Sequence, residues 1–376
     1  MQIHLLSSHS SASRTLGRGD RVSAARLSND LSTALRQRGY QVEVDLLGDL
    51  RGGHELTSFP EGAAAGRKLA ERLTTQVGSS TGTVLHALDP VAWAAALTAR
   101  SQAETPAAVV LRFAGAGSSP QTDRLPRPRA DAGAAARTEH RAYQACLRAA
   151  DAIAATGDGD RRAALRAGVQ NRRAFVVPDL IPPLDHQSRT GPGTRSPGAT
   201  LLSLGGIGPD SGIEATLAAM CWVPARELIV AGPGSSLDRL ALQSRLDRLG
   251  LRNRVRWAGP LDPLRTARLI DSAALLICPG NSIDPAAAIE AMVRCLPLVA
   301  VTGGSAADMV VDGVTGAVVA AGNPEALGRA VRTLLRNPFR LKGMGLAGRD
   351  RALTMFASDR AVRATEKVYR VALGAA

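Results

Sequence analysis

Short apolar runs alternate with longer amphipathic stretches along the whole chain. Ile3 to Ser7 is a strand-length apolar run, and Ala24, Leu27, Leu31 and Leu35 then recur at helical spacing on one face. Gly39 closes that helix and Val42 to Leu46 alternates as the next strand, which makes the opening a βαβ unit. Val84–Ala87 and Val109–Phe113 are further strand candidates, separated by helix-compatible Ala-rich segments. The pattern next predicts a helix from about Glu139 to Ala150, a strand at Ala152–Ala155, a short helix from Arg161 to Gly168 and a strand from Ala174. Residues 115–135, rich in Gly, Ser, Pro and Arg, read as a mobile loop.

The second half repeats the rhythm. Strands are expected at Leu201–Leu204, Leu228–Val230, Val255–Trp257, Leu275–Ile277 and Leu298–Val301, with helices between them, as in Leu237–Leu249 and Pro324–Leu335. Residues 186–198 are too polar and too rich in Gly and Pro to pack a core and read as a linker. Strand and helix alternation on both sides of a linker predicts an α/β protein with two Rossmann-like, doubly wound parallel-sheet domains facing a cleft. Ligands are then expected at the carboxyl ends of the strands.

At 376 residues the chain suits two domains of about 180 residues each. Aromatic residues make up only 3%, so the cores must rely on Leu, Val, Ile and Ala, and so few rings argue against a base-stacking platform for nucleic acid. The net charge of +13 points to an anionic partner: a nucleotide diphosphate, an anionic acceptor, a membrane surface or nucleic acid, the last without aromatic interleaving or a recognised module, with an Arg-rich, well-solvated surface as the plain alternative. Cys146, Cys221, Cys278 and Cys295 lie far apart and read as reduced core residues. The amino terminus lacks a basic region followed by a long apolar one, and no window approaches the ~18 apolar residues of a spanning helix, so the expected location is cytoplasmic.

Asn281 to Met292 follows a buried-looking strand and leads into a helix carrying one conspicuous carboxylate, Glu290. Together with Leu204–Gly212, Ile229–Gly234, Val255–Gly259, Gly303–Gly304 and Val311–Gly316, this stretch resembles the donor-binding core of retaining GT-B glycosyltransferases of the family-4 type, the group 1 glycosyl transferases. The resemblance extends, through Glu139, Ala150–Asp151, Gly168–Val169 and Val177–Pro178, into the segment before the linker.

That resemblance implies an acceptor-side domain over 1–185, a linker at 186–199, a nucleotide-sugar-binding domain over 200–357, and a C-terminal helix over 358–376 that packs back towards the first domain. It implies a nucleotide-diphosphate sugar as donor, no tightly bound cofactor and no metal. Glu290 takes the place of the second glutamate of the family's paired-acid motif, which accepts hydrogen bonds from the ribose hydroxyls. The nucleotide is expected against Gly205, Gly206, Ser211, Gly232, Gly234, Trp257, Asn281, Ser282 and Glu290. The acceptor is expected against Gly17, Arg18, Gly19 and Arg112. Glu290, Asp284 and His86 are the candidate catalytic residues.

Several positions depart from the family pattern. Ser282, eight residues before Glu290, stands where relatives carry the sugar-holding glutamate, and Asp284 replaces it only if the loop is shorter. Gly206 and Ser211 stand where relatives place the arginine and lysine of the diphosphate clamp, and Ala114 where they place a histidine. An isolated histidine such as His86 also reads as a structural residue, and Arg112 as a strand-end arginine. Asp158–Gly159–Asp160 reads as a cap for the helix from Arg161. The expected function is retaining sugar transfer from a nucleotide sugar to an unknown acceptor. The alternative is a catalytically impaired protein of the same fold with a binding or regulatory role.

Overall fold

A computed structural model describes residues 1–8, 19–51, 58–76, 82–102, 107–113, 134–178, 200–208, 211–223, 226–280, 283, 285–304 and 306–374. The loop expected at 115–135 lies outside these residues except for its last two, and the linker expected at 186–198 lies outside them entirely.

The first sheet contains β1 (Gln2–Ser7), β2 (Gln41–Leu46), β3 (Thr83–Ala87), β4 (Ala107–Phe113), β5 (Ala152–Ala155) and β6 (Ala174–Val176), in the order β2-β1-β3-β4-β5-β6. The second contains β7 (Leu201–Leu204), β8 (Leu228–Ala231), β9 (Val255–Gly259), β10 (Leu275–Cys278), β11 (Leu298–Val301) and β12 (Gly316–Val319), in the order β12-β11-β10-β7-β8-β9. All the pairings between these strands are parallel. Such sheets are covered on both faces, which is why β10 and β11 read as unbroken apolar runs rather than alternating ones.

Helices α1 (Gly19–Gln37), α2 (Phe59–Gln76), α3 (Pro90–Gln102), α4 (Ala134–Ala149) and α5 (Asp158–Arg166) belong to the first half. Helices α6 (Ile213–Met220), α7 (Ser236–Arg248), α8 (Pro263–Ser272), α9 (Pro285–Val293), α10 (Pro324–Leu335) and α11 (Pro338–Met355) flank the second sheet. On the first sheet, Leu85, Val109, Leu111 and Ile153 face α2, α3 and α4, while Ile3, Leu5, Val84 and Val110 face the opposite layer.

That opposite layer is completed by α12 (Ser358–Ala372), which follows α11 yet packs on β4, β5 and β6 of the first sheet. Ala361, Val362, Val368 and Tyr369 form its buried stripe. Fully burying side chains of the size of Val and Tyr stabilises by roughly 1.5–3 kcal/mol each. The half-exposed pairs that Arg38 makes with Asp359 and Glu366 contribute at most about 1 kcal/mol, so apolar burial is what docks α12. Among the cysteines, Cys278 and Cys295 are buried and Cys146 is half-buried, but Cys221 is exposed just past the end of α6. Among the described residues, no helix is long and apolar enough to cross a membrane.

Candidate functional site

Open parallel sheets bind ligands beyond the carboxyl ends of their strands, where the strand order reverses. In the second sheet β8 and β9 lie to one side of β7 and β10 to the other, so the reversal falls between β7 and β10. In the first sheet it falls between β1 and β3. The loops after β7 and β10 meet backbone to backbone, since a Cβ on Gly212 would lie 2.4 Å from the Pro279 carbonyl oxygen.

The turn after β7 is pressed against the turn after β8. Gly205 N and Gly206 N both donate to Ala231 O, at 3.0 and 3.2 Å, and Ile207 N donates to Pro233 O at 3.0 Å. Gly206 has φ +91°, and a Cβ there would sit 2.3 Å from Pro233 O; one on Gly232 would sit 2.3 Å from Gly206 N. No side chain fits at Gly206, so a cationic clamp residue has no place at that position. Ser211 is buried and occupied locally. Its hydroxyl donates to Gly208 O at 2.6 Å and accepts from Ile213 N at 3.2 Å, at the start of α6.

Trp257 on β9 is half-buried, and its indole N–H donates to Gly232 O at 3.1 Å. The Arg239 guanidinium carbon lies 5.7 Å from the centre of its ring. Gly234 is exposed beside the same turn, with room only for the hydrogen that faces Ile207. Asn281, Ser282 and Asp284 lie outside the described residues.

Helix α9 begins directly after the β10 loop, and Glu290 sits within it, buried to 8% exposure. Its Oε1 accepts from Arg294 Nε at 3.1 Å, and Arg294 Nη1 reaches both oxygens of Asp271, at the end of α8, at 3.0 and 2.9 Å. Arg294 is thus shared between the buried Glu290 and the part-buried Asp271.

On the first sheet, Asp89 stands at the reversal. It accepts from Ser8 N at 2.8 Å and from Ala92 N at 2.9 Å, and so ties the end of β1 to the start of α3. Gly17 and Arg18 lie outside the described residues, and Gly19 is the first residue of α1.

The expectation of a catalytic His86 is corrected by its surroundings. Alternation on β3 puts His86 on the face covered by α12, where it is 2% exposed and its Nδ1 lies 2.8 Å from the Tyr369 hydroxyl. A donor or acceptor substrate cannot reach it there. Burial, and secondarily the charge of Arg112, holds its pKa down to about 3, so it is neutral at physiological pH. Arg112 is half-buried on the same face of β4, and its carbonyl accepts from the Trp93 indole at 3.2 Å.

The capping expectation for Asp158–Gly159–Asp160 is also corrected. Helix α5 starts at Asp158, and its N-cap, Gly157, has no side chain to offer. The Asp308 carboxylate, from the segment after β11, accepts instead from Gly159 N at 3.3 Å. Asp308 is itself held from behind, because Arg351 donates to the carbonyls of Met309 at 2.8 Å and Asp308 at 3.3 Å. Both partners follow the carboxyl ends of strands, so the two sheets turn those ends towards each other.

Among the described residues, His4, Glu43 and Asp45 bring potential metal ligands within 4.8 Å of one another. His4 Nδ1 lies 2.8 Å from Asp45 Oδ2, and Arg72 lies 3.1 Å from Asp45 Oδ1 and supplies the cation there. A cavity of about 380 Å³ opens beside them along β2, at the outer edge of the first sheet and away from its strand-order reversal.

Sequence reasoning missed Arg294, Asp271, Asp89 and Asp308. Only Arg294 left a local signal, the four-residue spacing from Glu290 that places an acid and a base on one helical face.

Residues 198–337 match the family described as Glycosyl transferases group 1. The glycogen synthases of two Mycobacterium tuberculosis strains, CDC 1551 / Oshkosh and ATCC 25618 / H37Rv, are 30% identical over 190 residues, or 49% of this chain. That stretch is 44% of their own length, so the chain spans less than half of the curated relatives it matches. Among solved structures, the sucrose-phosphate synthase of Thermosynechococcus elongatus superposes with a TM-score of 0.75 at 18% identity, covering 100% of both chains. HepE of Anabaena in complex with UDP-glucose gives 0.69 at 18% identity, covering 98% of this chain and 99% of that one. These likenesses establish the GT-B fold for the chain, and residues 198–337 carry the group 1 match.

Proposed function

We propose that the protein is a glycosyltransferase that takes a sugar from a nucleotide-diphosphate donor held by the second half and passes it, with retention of configuration, to an acceptor held by the first. Glu290 carries this reading: a buried carboxylate on the helix that follows β10, beside the strand-order reversal and inside the matched segment. An ionised carboxylate accepts hydroxyl donors strongly, which suits the ribose of a nucleotide. Retention rests on the resemblance of Asn281–Met292 to retaining enzymes.

In such a transfer the bond from the anomeric carbon to the diphosphate breaks and the leaving phosphate takes the electron pair. Preorganised donors must meet that charge, and losing one typically costs ~3 kcal/mol of transition-state stabilisation. Among the described residues, the amino terminus of α9 lies at the reversal, where the positive end of the helix dipole favours a phosphate. Closure of the two halves over the donor would exclude water. The net charge of +13 supports an anionic acceptor or an anionic membrane surface.

Two observations favour a second reading, nucleotide binding without turnover. Gly206 has no room for a clamp side chain, and the Ser211 hydroxyl is engaged by its own loop. The deciding experiment is a thermal-shift screen against UDP, GDP, ADP and their glucose conjugates, followed by mass spectrometry for released or transferred sugar. UDP-glucose is the first donor to try, since it is what HepE was crystallised with. Binding with turnover supports transfer, binding alone supports the second reading, and no binding to any nucleotide overturns both.

A further inference from the structure

Helix α9 has the sequence PAAAIEAMV, and its only charged group is placed where it is nearly excluded from water. Burying charge is costly unless it is paired, and a pair alone would satisfy that need. Here the pairing is uneven. Arg294, 6% exposed, is shared between two carboxylates, the buried Glu290 and the part-buried Asp271. A purely structural ion pair needs no second acid, and an apolar pair would pack α9 equally well.

The geometry divides the work of the guanidinium. Its Nη1 is chelated by both oxygens of Asp271, so the planar group is fixed from the α8 side. Its position at the carboxyl end of α9 suits a cation as well. With the guanidinium immobilised in this way, Nε meets Glu290 Oε1 at 3.1 Å. Glu290 Oε2 has no protein donor among the described residues. One oxygen is held and the other is left to accept.

We infer that Arg294 is a positioning residue for nucleotide recognition: braced by Asp271, it fixes the Glu290 carboxylate so that Oε2 is presented to the ribose diol of the donor. The inference rests on the reading of α9 as part of a nucleotide-sugar site and adds a specificity to it. The site distinguishes a ribonucleoside diphosphate from one lacking the ribose hydroxyls, and it does so through a residue that never touches the ligand. Without Arg294 the carboxylate swings among rotamers and the preference for the diol disappears, while contacts to base and diphosphate persist.

The test compares the affinities of UDP and 2′,3′-dideoxy-UDP by titration calorimetry, because their ratio reports on the ribose contact alone. Wild type is expected to prefer UDP by about 10-fold, the worth of one charge-assisted hydrogen bond. Arg294→Met and Glu290→Gln should both bring the ratio to about 2-fold or less. Arg294→Lys, which keeps the charge but not the fork, should fall between. Should Arg294→Met unfold because Asp271 loses the guanidinium it chelates, the double variant Asp271→Asn/Arg294→Met removes that carboxylate charge and makes the same prediction. A merely structural arginine would lower stability and both affinities together and leave the ratio at its wild-type value, which overturns the inference while the donor-site reading stands. If wild type binds neither nucleotide, or Glu290→Gln keeps the full ratio, the donor-site reading itself fails and takes the inference with it.

Discussion

The Tyr369 hydroxyl lies 2.8 Å from His86 Nδ1, and both side chains are closed off from solvent. The contact fastens the C-terminal helix to the middle of the first sheet, and the two rings meet edge to face. Among the described residues His86 Nε2 has no partner, so this is the one hydrogen bond the imidazole makes with them. Tyr369→Phe keeps the ring and its apolar burial but strands both ring nitrogens. The expected loss is ~1–3 kcal/mol, the cost of an unsatisfied buried polar group, read from urea unfolding with an unchanged m-value.

The same histidine makes stability depend on pH. Burial first and the Arg112 charge second hold His86 at about 3, whereas in the unfolded chain it titrates near 6.5. Between those values the unfolded chain binds a proton that the folded one does not, so stability rises with pH. The contribution is complete above about 6.5 and drains away as pH falls towards 3. His86→Gln abolishes that titration. Its midpoint temperature should therefore fall less than that of wild type between about pH 7.5 and about pH 5, and equal slopes for the two proteins would refute the assignment.

Glu290→Ala should weaken UDP binding by ~10-fold or more, measured by calorimetry at a temperature where the variant is folded. Arg294 keeps its Asp271 partner in that variant, so the protein should still fold. Undiminished affinity in a folded variant would remove the donor site from α9.

The sheets were legible because buried parallel strands write themselves as apolar runs: LLSL in β7 and LVAV in β11 need no context to be read. The site was legible only where chemistry follows one segment, as at Glu290. His86 was misread because a histidine at a strand end looks the same whether it faces a cleft or a helix. The residue that covers it, Tyr369, comes 283 positions later. Asp271 reaches Arg294 from the end of α8, and Asp308 reaches α5 from the other half, so neither partnership has any local trace. Gly206 told half of its story in sequence, as a missing cation. Why the cation is missing depends on the carbonyl of Pro233, which only the fold brings near.

Gly206 tests whether the missing clamp can be restored. With φ at +91° and Pro233 O at 2.3 Å from any Cβ, Gly206→Ala should destabilise by ~1–3 kcal/mol, from backbone strain plus displacement of the neighbouring turn. Gly206→Arg should be at least as damaging and should not raise sugar transfer. A stable Gly206→Arg protein with increased transfer would mean that the turn can open to admit a clamp residue.

Asp308 and Gly157 offer a way to separate helix capping from the joining of the two halves. Gly157 has extended φ and ψ that any residue adopts, but a Cβ there would lie 3.2 Å from Asp308 Oδ2. The Asp308 carboxylate occupies the place of a side-chain cap. Asp308→Ala should cost ~1 kcal/mol, the usual worth of a carboxylate at a helix amino terminus. Adding Gly157→Ser gives α5 a cap of its own in the space just vacated and should return most of that stability, whereas in the wild-type background it should help little. The double variant restores the helix without restoring the tie. Distances between spin labels on the two halves should therefore broaden in Asp308→Ala and stay broad in Asp308→Ala/Gly157→Ser, although the second has regained its midpoint temperature. Narrow distances in both variants would show that α12 alone fixes the halves and that Asp308 serves only as a cap.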